Sequence, residues 1–446
     1  MDKMEKKETL KRIHAVDLLN CADQVVKVSG WVENYRDLKK IRFIQLKDRT
    51  GFIQVTLPQT EVSKEVFDSI QDLTKESVLE IDGLVKKSPQ ARLGVELIPS
   101  KIQIVSKAKA PTPIDMSGKI VSDLSVRLDY RFLDLRNPKS INLFKLRSRV
   151  LGFVVDFFEN SGFIGINTPK LTSAGVESGA ELFKVDYFGK PAYLAQSPQI
   201  YKQMMVCSGL EKVYEIGPVF RAEKSHTVRH LTEFTGIDFE QGFIESEQEV
   251  MDTVEGLMHF ILKHVQEECA EQLIALGLDQ KIEVPEKIPR MDMVEVKKLL
   301  AENGLKLTAE DDLTPEAEKW LGDYVLKKFN SEFVFVTNYP WAVRPFYHMK
   351  PNGDSKGTKS FDLIWKGLEI ATGAQREHRY DLLKAQAKEK GLNLDEMKDY
   401  SLIFQYGVPA HGGCGLGLDR IMEQLCNLDN IREAILLPRD PERLTP

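Results

Sequence analysis

The hydrophobic pattern of this chain changes its period near residue 141, and that change limits what each side of it can become. Before it stand five β-rich segments, VVKVSGWVENY, RFIQLKD, FIQVTLP, VLEIDGLVKK and VELIPSKIQIV, punctuated by Gly30, Gly51, Gly83 and Gly94. One helical stretch, SKEVFDSIQDL, separates the third from the fourth. Five strands with a helix after the third is the order of an OB-fold, a small barrel that binds single-stranded or looped nucleic acid; another small β-barrel fits the order as well. Beyond the change, Phe144, Leu151, Val154 and Phe158 fall on one helical face, and long helices then alternate with hairpin-like strands. That is an α+β pattern rather than βαβ repetition. The expected organisation is an N-terminal extension over 1–20, an OB-fold over 21–108, a hinge over 109–140 marked by Pro111 and Pro113, and an antiparallel sheet flanked by helices over 141–446.

Composition narrows the function classes. A chain of 446 residues with 42% hydrophobic and 29% charged residues has core enough for a large enzyme domain. No apolar run is long enough to span a bilayer, and the charged N-terminus MDKMEKKETLKRIHAVDLL has no signal-peptide core, so a cytoplasmic location is expected. The five cysteines form no CxxC pair and the eight histidines no HExxH, which argues against a disulfide framework or a structural zinc. Any metal is expected to be a hard ion held by carboxylates and phosphates. A net charge of −6 weakly disfavours a nucleic-acid partner, although a local basic stripe suffices to bind one.

Four segments of the second half are dense in charge or glycine where an ordinary core would be apolar. The first is QSPQIYKQMM. The second, VYEIGPVFRAEKSHTVRHLTEFTGIDFE, reads as a strand, a charged loop and a returning strand, with Arg221 at the end of the first strand. In the third, KSFDLIWKGLEIATGAQREHRYD, Asp362 and Glu369 stand seven apart around Gly367, with Arg376 seven further on. Two such carboxylates suit a magnesium ion against phosphates; a paired-carboxylate glycosidase is the formal rival. The fourth, GVPAHGGCGLGLDRIMEQL, brings glycines at 412, 413, 415 and 417 before an apolar helix, which serves either close approach to a ligand or tight strand–helix packing. There is no GxxxxGK[ST] and no GxGxxG after a strand.

Taken together, these segments resemble the three signature motifs of class II aminoacyl-tRNA synthetases, and most closely the shorter, archaeal-type aspartyl-tRNA synthetases. The resemblance runs from the OB-fold to the closing ILLPRDPERLTP. It implies that Phe144–Asn160 and GFIGINTPKL, with Pro169, build a homodimer contact. It implies that Arg221 and Arg420 are the catalytic cations. Arg221 would hold the α-phosphate of ATP and the substrate carboxylate, Glu223 the adenine end, and Phe234 one adenine face, with Arg420 and Gly417 on the other side. His226 and Arg229 would face the γ-phosphate and the tRNA acceptor end, and Asp362 and Glu369 would hold Mg²⁺ with ATP. Lys202 and Arg376 would bind the aspartate side chain. Ser197, Gln199 and Asp238 would hold its ammonium, and Glu177 lies on a loop that closes over the substrate in the family. Cys414 stands where relatives often carry an aromatic or leucine, and it is assigned no chemistry. In the OB-fold, Phe43 would stack on an anticodon base, Gln54 and Glu96 would read base edges, and Arg36 would support them.

The activity so implied is activation of L-aspartate by ATP to an adenylate, followed by transfer to the terminal ribose of tRNA(Asp). No protein nucleophile is needed. Asparaginyl-tRNA synthetases keep the arginine but do not usually have the lysine, so Lys202 carries the choice of aspartate. The alternatives are an asparaginyl-tRNA synthetase, an ammonia-dependent asparagine synthetase, which would not need the OB-fold, and a non-catalytic tRNA-binding paralogue. Whether tRNA(Asn) is also charged is left open.

Overall fold

The computed structural model describes residues 10–173, 182–224, 227–278, 286–352 and 355–446. The chain divides into two compact units, Met1–Pro113 and Ile114–Pro446.

In the first unit, strands β1 (Val25–Asp37), β2 (Ile41–Lys47), β3 (Phe52–Pro58), β4 (Val78–Lys87) and β5 (Val95–Ser106) close into a barrel in the order β1-β2-β3-β5-β4. The β3–β5 pair is parallel and the others antiparallel. Period-two alternation sends Ile44, Leu46, Ile53, Val55, Leu57, Leu79 and Ile81 into the barrel core. Phe43 points the other way and is half-buried on the outside, so it is not a core aromatic. The helix between β3 and β4, α1 (Lys64–Asp68), is shorter than SKEVFDSIQDL suggests. Ser63 caps it, accepting from the Val66 N–H at 3.2 Å, and Val66, Phe67, Ile70 and Leu73 then plug the core instead of extending the helix. The described part of the segment read as an N-terminal extension, residues 10–20, also packs with the barrel. Ala15 and Leu18, in the 3₁₀ turn Ala15–Cys21, are buried in its core, and the Asp48 carboxylate accepts from the Ala15 N–H at 2.8 Å.

The second unit opens on helices α2 (Leu124–Asp129) and α3 (Arg131–Asp134), where a hinge was expected, and Ile114 and Met116 pack with Leu133 of α3. Helix α4 (Pro138–Asn160) starts earlier than residue 141, because Asn137 caps it and Pro138 takes its first position, where no N–H is needed. Next come β6 (Ile164–Gly165) and a small sheet of β7 (Leu171–Thr172), β8 (Lys184–Tyr187) and β9 (Lys190–Leu194). Helix α5 (Gln199–Met205) precedes the hairpin β10 (Lys212–Phe220) and β11 (Glu233–Gly242). Helices α6 (Glu247–Glu268) and α7 (Ala270–Leu276), strand β12 (Arg290–Asp292), helices α8 (Met293–Glu302) and α9 (Pro315–Phe329) and strand β13 (Phe333–Thr337) follow. The hairpin β14 (Ser360–Trp365) and β15 (Leu368–Gln375), short helices α10 (Tyr380–Glu389) and α11 (Lys398–Ser401), strand β16 (His411–Gly417) and helix α12 (Leu418–Leu425) complete the unit.

Eight strands make one sheet in the order β12-β13-β14-β15-β16-β11-β10-β6, antiparallel except where β12 meets β13 and β6 meets β10. The fold is α+β: an OB-fold barrel and an antiparallel-rich sheet flanked by helices. Val250, Val254, Leu257, Met258, Ile261 and Val265 of α6 recur at helical spacing and are fully buried with residues of α4 and the sheet. A capping box of Ser246 and Glu249 fixes where α6 begins. Each such apolar side chain contributes about 1.5–3 kcal/mol, so this helix is a rigid backing for the opposite face of the sheet. None of the described helices is long and apolar enough to cross a membrane.

Candidate active site

The site begins with the alternation in HGGCGLG. Pairing puts Gly413 opposite Glu240 and Ala374, and Gly415 opposite Asp238 and Thr372. Cys414 and Leu416 point to the opposite face and are buried in the core with Ile237 and Phe239. Strand β16 therefore presents backbone alone between the side chains of β11 and β15, and a trough opens in the middle of the sheet. A β-carbon at Gly413 would collide with the Glu240 carboxylate and the Phe239 carbonyl, so glycine is required there. A cleft of about 750 Å³ occupies this face.

One end of the cleft is fully paired. Lys202, on α5, is 1% exposed. Its Nζ donates to Asp238 Oδ1 at 2.9 Å and to the Cys414 carbonyl at 3.1 Å, and lies 3.6 Å from Glu240 Oε2. Arg376, just past β15, donates from Nε to Glu240 Oε1 at 2.9 Å and from Nη2 to Glu240 Oε2 at 3.3 Å. Its Nη2 also donates to the Gly413 carbonyl at 3.0 Å, and Nη1 donates to His348 Nε2 at 2.9 Å. Burial pushes the Glu240 carboxyl up, but Arg376 and Lys202 outweigh it and leave Glu240 below the ordinary carboxylate range. Ser197 and Gln199 line the same end, and Gln199 Nε2 is a buried donor with no acceptor in the structure.

The other end is less settled. Arg221 follows β10, with its guanidinium 5.3 Å from the centre of the Phe234 ring on β11. Glu223 lies 3.6 Å from His230, and Arg229 lies 3.6 Å from Glu318 of α9. Arg420, in the first turn of α12, donates to the Glu369 carbonyl at 2.7 Å and stands 3.6 Å from its carboxylate. Gly417 supplies the turn before it and lines the cleft. Carboxylates crowd here. Burial and the charge of Glu369 push Glu318 up to about 8. Burial pushes Glu423 up to about 7, and burial with Glu369 holds Asp362 up at about 6 despite Arg344. Glu369 is the exception, because Arg420, Arg344 and Arg221 outweigh its burial and hold it below the ordinary carboxylate range.

Of the residues singled out in the sequence, Ser197, Gln199, Lys202, Arg221, Glu223, Arg229, Phe234, Asp238, Glu369, Arg376, Gly417 and Arg420 all line this one cleft. Asp362 does not line it. The residue sits on β14 in the same cross-strand row as Thr372, Gly415 and Asp238 and so on the same face of the sheet, with Oδ2 taken by Arg344 at 2.6 Å and a buried Oδ1 that has no hydrogen-bond partner. Glu177 and His226 lie outside the described residues. In the barrel, Arg36 and Phe43 face each other across β1 and β2. Glu96 accepts from Gln54 at 3.1 Å and from Thr56 at 2.5 Å. Sequence reasoning missed Glu240, His348, Arg344 and Glu318. Glu240 had a signal, since it shares a strand face with Asp238 two residues away; the other three stand outside any motif. Among the described residues, no group of three or more His, Cys, Asp or Glu side chains is arranged to hold a metal alone.

Residues 123–441 match the family model of class II tRNA synthetases (D, K and N), and residues 26–105 match that of the OB-fold nucleic acid binding domain. The chain belongs to the class II tRNA synthetases of this D, K and N group. It is 46% identical over 422 residues to the aspartate–tRNA(Asp) ligase of Pyrococcus abyssi, covering 94% of this chain and 96% of that protein. It is 45% identical over 422 residues, with the same coverage, to the aspartate–tRNA(Asp/Asn) ligase of Methanopyrus kandleri. Its structure is similar to that of asparaginyl-tRNA synthetase from Pyrococcus horikoshii complexed with asparaginyl-adenylate, with TM-score 0.90 and 29% identity over 98% of this chain and 100% of that one.

Proposed function

We propose that this chain is an aspartate–tRNA ligase, which activates L-aspartate with ATP and transfers it to tRNA(Asp). The observation that carries the choice of aspartate is the donor balance at the paired end of the cleft. Four of the five N–H groups of Arg376 have acceptors among the described residues, which leaves one on Nη1. Lys202 has two close acceptors for three protons. Two spare donors side by side match a carboxylate. With Arg221, the pocket holds three cations against the two carboxylates Asp238 and Glu240. Aspartate, with two carboxylates and one ammonium, neutralises that excess. Asparagine does not, and its amide N–H₂ would meet donors, a mismatch of several kcal/mol in a buried site. The similarity to an asparaginyl enzyme is one of fold; the curated relatives at 45–46% identity carry aspartate names.

In this reading Asp238, Ser197 and Gln199 receive the substrate ammonium, and Glu177 covers it. Arg221 lies between the carboxylate that attacks and the α-phosphate that is attacked. Its fixed charge opposes the charge that develops at phosphorus, while Phe234 and Arg420 sandwich the adenine. Glu223 meets the adenine edge, and Arg229 and His226 meet the terminal phosphate. A divalent ion, Mg²⁺ by its preference for hard oxygen ligands, suits the carboxylate-rich end. Glu369 would hold it from inside the cleft. Asp362 would act from the neighbouring strand, its unpartnered Oδ1 and raised pKa being what a nearby cation relieves. The ion would neutralise triphosphate charge. Both chemical steps rest on positioning and charge, with no protein nucleophile.

Phe43, Gln54, Glu96 and Arg36 would read anticodon bases from the outer barrel surface. The segment from Phe144 to Pro169 would join two copies as a homodimer, in keeping with the exposed Ile164 within it. The cytoplasm is the expected site of action. Charging purified tRNA(Asp) with labelled aspartate tests the reading. Stable aspartyl-tRNA(Asp) is expected, and none at any enzyme concentration would refute it. Parallel charging of tRNA(Asn) decides whether the second tRNA is also a substrate.

A further inference from the structure

His348 belongs to no motif, yet it holds Arg376, one of the two cations read as ligands of the substrate's side chain. It is 2% exposed and lines the cleft. Its backbone is fixed on both sides. The His348 N–H donates to the Pro345 carbonyl at 3.1 Å, and Gln386 Nε2 donates to the His348 carbonyl at 3.0 Å. Flanking it, the Met349 N–H donates to the Gln375 carbonyl at 3.0 Å and the Glu377 N–H to the Tyr347 carbonyl at 2.9 Å. The ring thus stands on a short ladder beside Arg376 and cannot drift from it.

The 2.9 Å contact between Arg376 Nη1 and His348 Nε2 has one chemical solution. A guanidinium only donates, so Nε2 must be the acceptor and carry no proton. The neutral ring then has its hydrogen on Nδ1, and Nδ1 is buried with no hydrogen-bond partner in the structure. The surroundings agree: burial first, then Arg376, Arg344, Lys202 and Lys390, disfavour a charged ring. An unsatisfied buried N–H is destabilising, and such a group in a native fold calls for an explanation. Packing alone gives none, because an apolar side chain of similar size would fill the space without stranding a donor.

We propose that His348 is a positioning residue for amino-acid selection. By accepting one Nη1–H of Arg376, it aims the remaining Nη1–H, the last donor the guanidinium has left, at the acidic side chain of the substrate. Glu240 and Gly413 fix the Nε and Nη2 edges; His348 fixes the third corner of the plane. The orphaned Nδ1–H is what the fold tolerates to have an acceptor there. This inference rests on the reading of Arg376 as an aspartate ligand.

His348→Met, His348→Gln and Arg376→Gln, each measured by ATP–pyrophosphate exchange and thermal melting, test it. His348→Met should raise the KM for aspartate about tenfold, the effect of one hydrogen bond to a charged group, with kcat and the KM for ATP changed less than about twofold. Its melting temperature should be unchanged or higher, which a purely structural histidine would not give. His348→Gln, which can again offer an acceptor, should recover most of the lost affinity. A KM for aspartate within about twofold of wild type in His348→Met, or equal losses for both substrates, overturns the inference. Arg376→Gln separates the two failures. If it too leaves the aspartate KM unchanged, the ligand reading of Arg376 falls and this inference with it. If it raises that KM while His348→Met does not, only the role of His348 falls. Should His348→Met fail to fold, ¹⁵N spectra of wild-type histidines still decide. An Nδ1–H, Nε2-unprotonated ring is expected, and a doubly protonated ring or the opposite tautomer contradicts it.

Discussion

The two ends of the cleft are built on opposite electrostatic plans. At the end of Lys202 and Arg376, every charge has a partner of opposite sign within 3.6 Å, and Glu240 is held below its ordinary pKa. At the end of Glu318, Glu369 and Glu423, burial holds Glu318 and Glu423 well above it, with the charge of Glu369 adding to the rise of Glu318, while arginines hold Glu369 itself below. The first end is a finished pocket whose spare donors define one small anion. The second keeps buried carboxylates whose ionisation a bound cation would favour. A synthetase needs both properties: fixed geometry where amino acids are told apart, and a site that accepts a triphosphate with its counter-ions and releases pyrophosphate.

The comparison breaks most sharply at Lys202. Replacing it with Met takes a buried cation away from Asp238 and leaves Glu240 to Arg376 alone, so aspartate-dependent exchange should fall by at least about 10³-fold and stability by about 3–5 kcal/mol, read by exchange assay and denaturant melts. Arg221→Ala acts at the junction of the two ends. Exchange should drop about 10²–10³-fold with an unchanged melting curve, because Arg221 packs on Phe234 at the cleft surface rather than closing a buried pair. Near-normal exchange would remove Arg221 from the chemistry.

The nucleotide end makes a prediction of opposite sign to the pocket's. Glu318 is raised from its ordinary value to about 8, so the folded protein binds its proton more tightly than the unfolded chain does. Its contribution is intact below the unfolded pKa of 4.5 and is lost as pH rises toward 8, by on the order of a few kcal/mol. Glu240 is depressed, so its contribution is present above 4.5 and is lost only on acidification. Ligand-free melting temperature should therefore fall between pH 5 and pH 8, and Glu318→Gln should flatten that fall. Parallel curves for wild type and variant would contradict the account. The smallest effect lies in the barrel. Phe43→Ala should raise the KM for tRNA about tenfold, one lost base stack, and leave amino-acid exchange untouched.

Legibility in the sequence followed the same division. Strand alternation in IRFIQLKD and the Gly-x-Gly-x-Gly spacing of β16 are periodic signals, so the barrel and the floor of the cleft could be read from them. Lys202, Arg221 and Arg420 sit in motif segments. Arg344 and His348 sit in an irregular segment between β13 and β14, and Glu318 sits on an ordinary amphipathic helix. Their roles come from tertiary neighbours with no period to announce them. Asp362 teaches the converse. Its spacing from Glu369 suggested two nearby carboxylates, and the hairpin register does set Asp362 across from Thr372, whose hydroxyl donates to Glu369, but the spacing could not show that Arg344 claims one oxygen of Asp362. Within the expected hinge, Pro111 and Pro113 stand where the two units divide, while Asn137 and Pro138 already begin a helix.

On the proposed reading, the Lys202–Arg376 pocket selects a carboxylate. The most direct measurement is ATP–pyrophosphate exchange with aspartate and with asparagine on the same enzyme. Aspartate should be favoured in kcat/KM by on the order of 10⁴, the discrimination expected when the wrong ligand leaves buried charges uncompensated. Exchange driven equally well or better by asparagine would contradict the account.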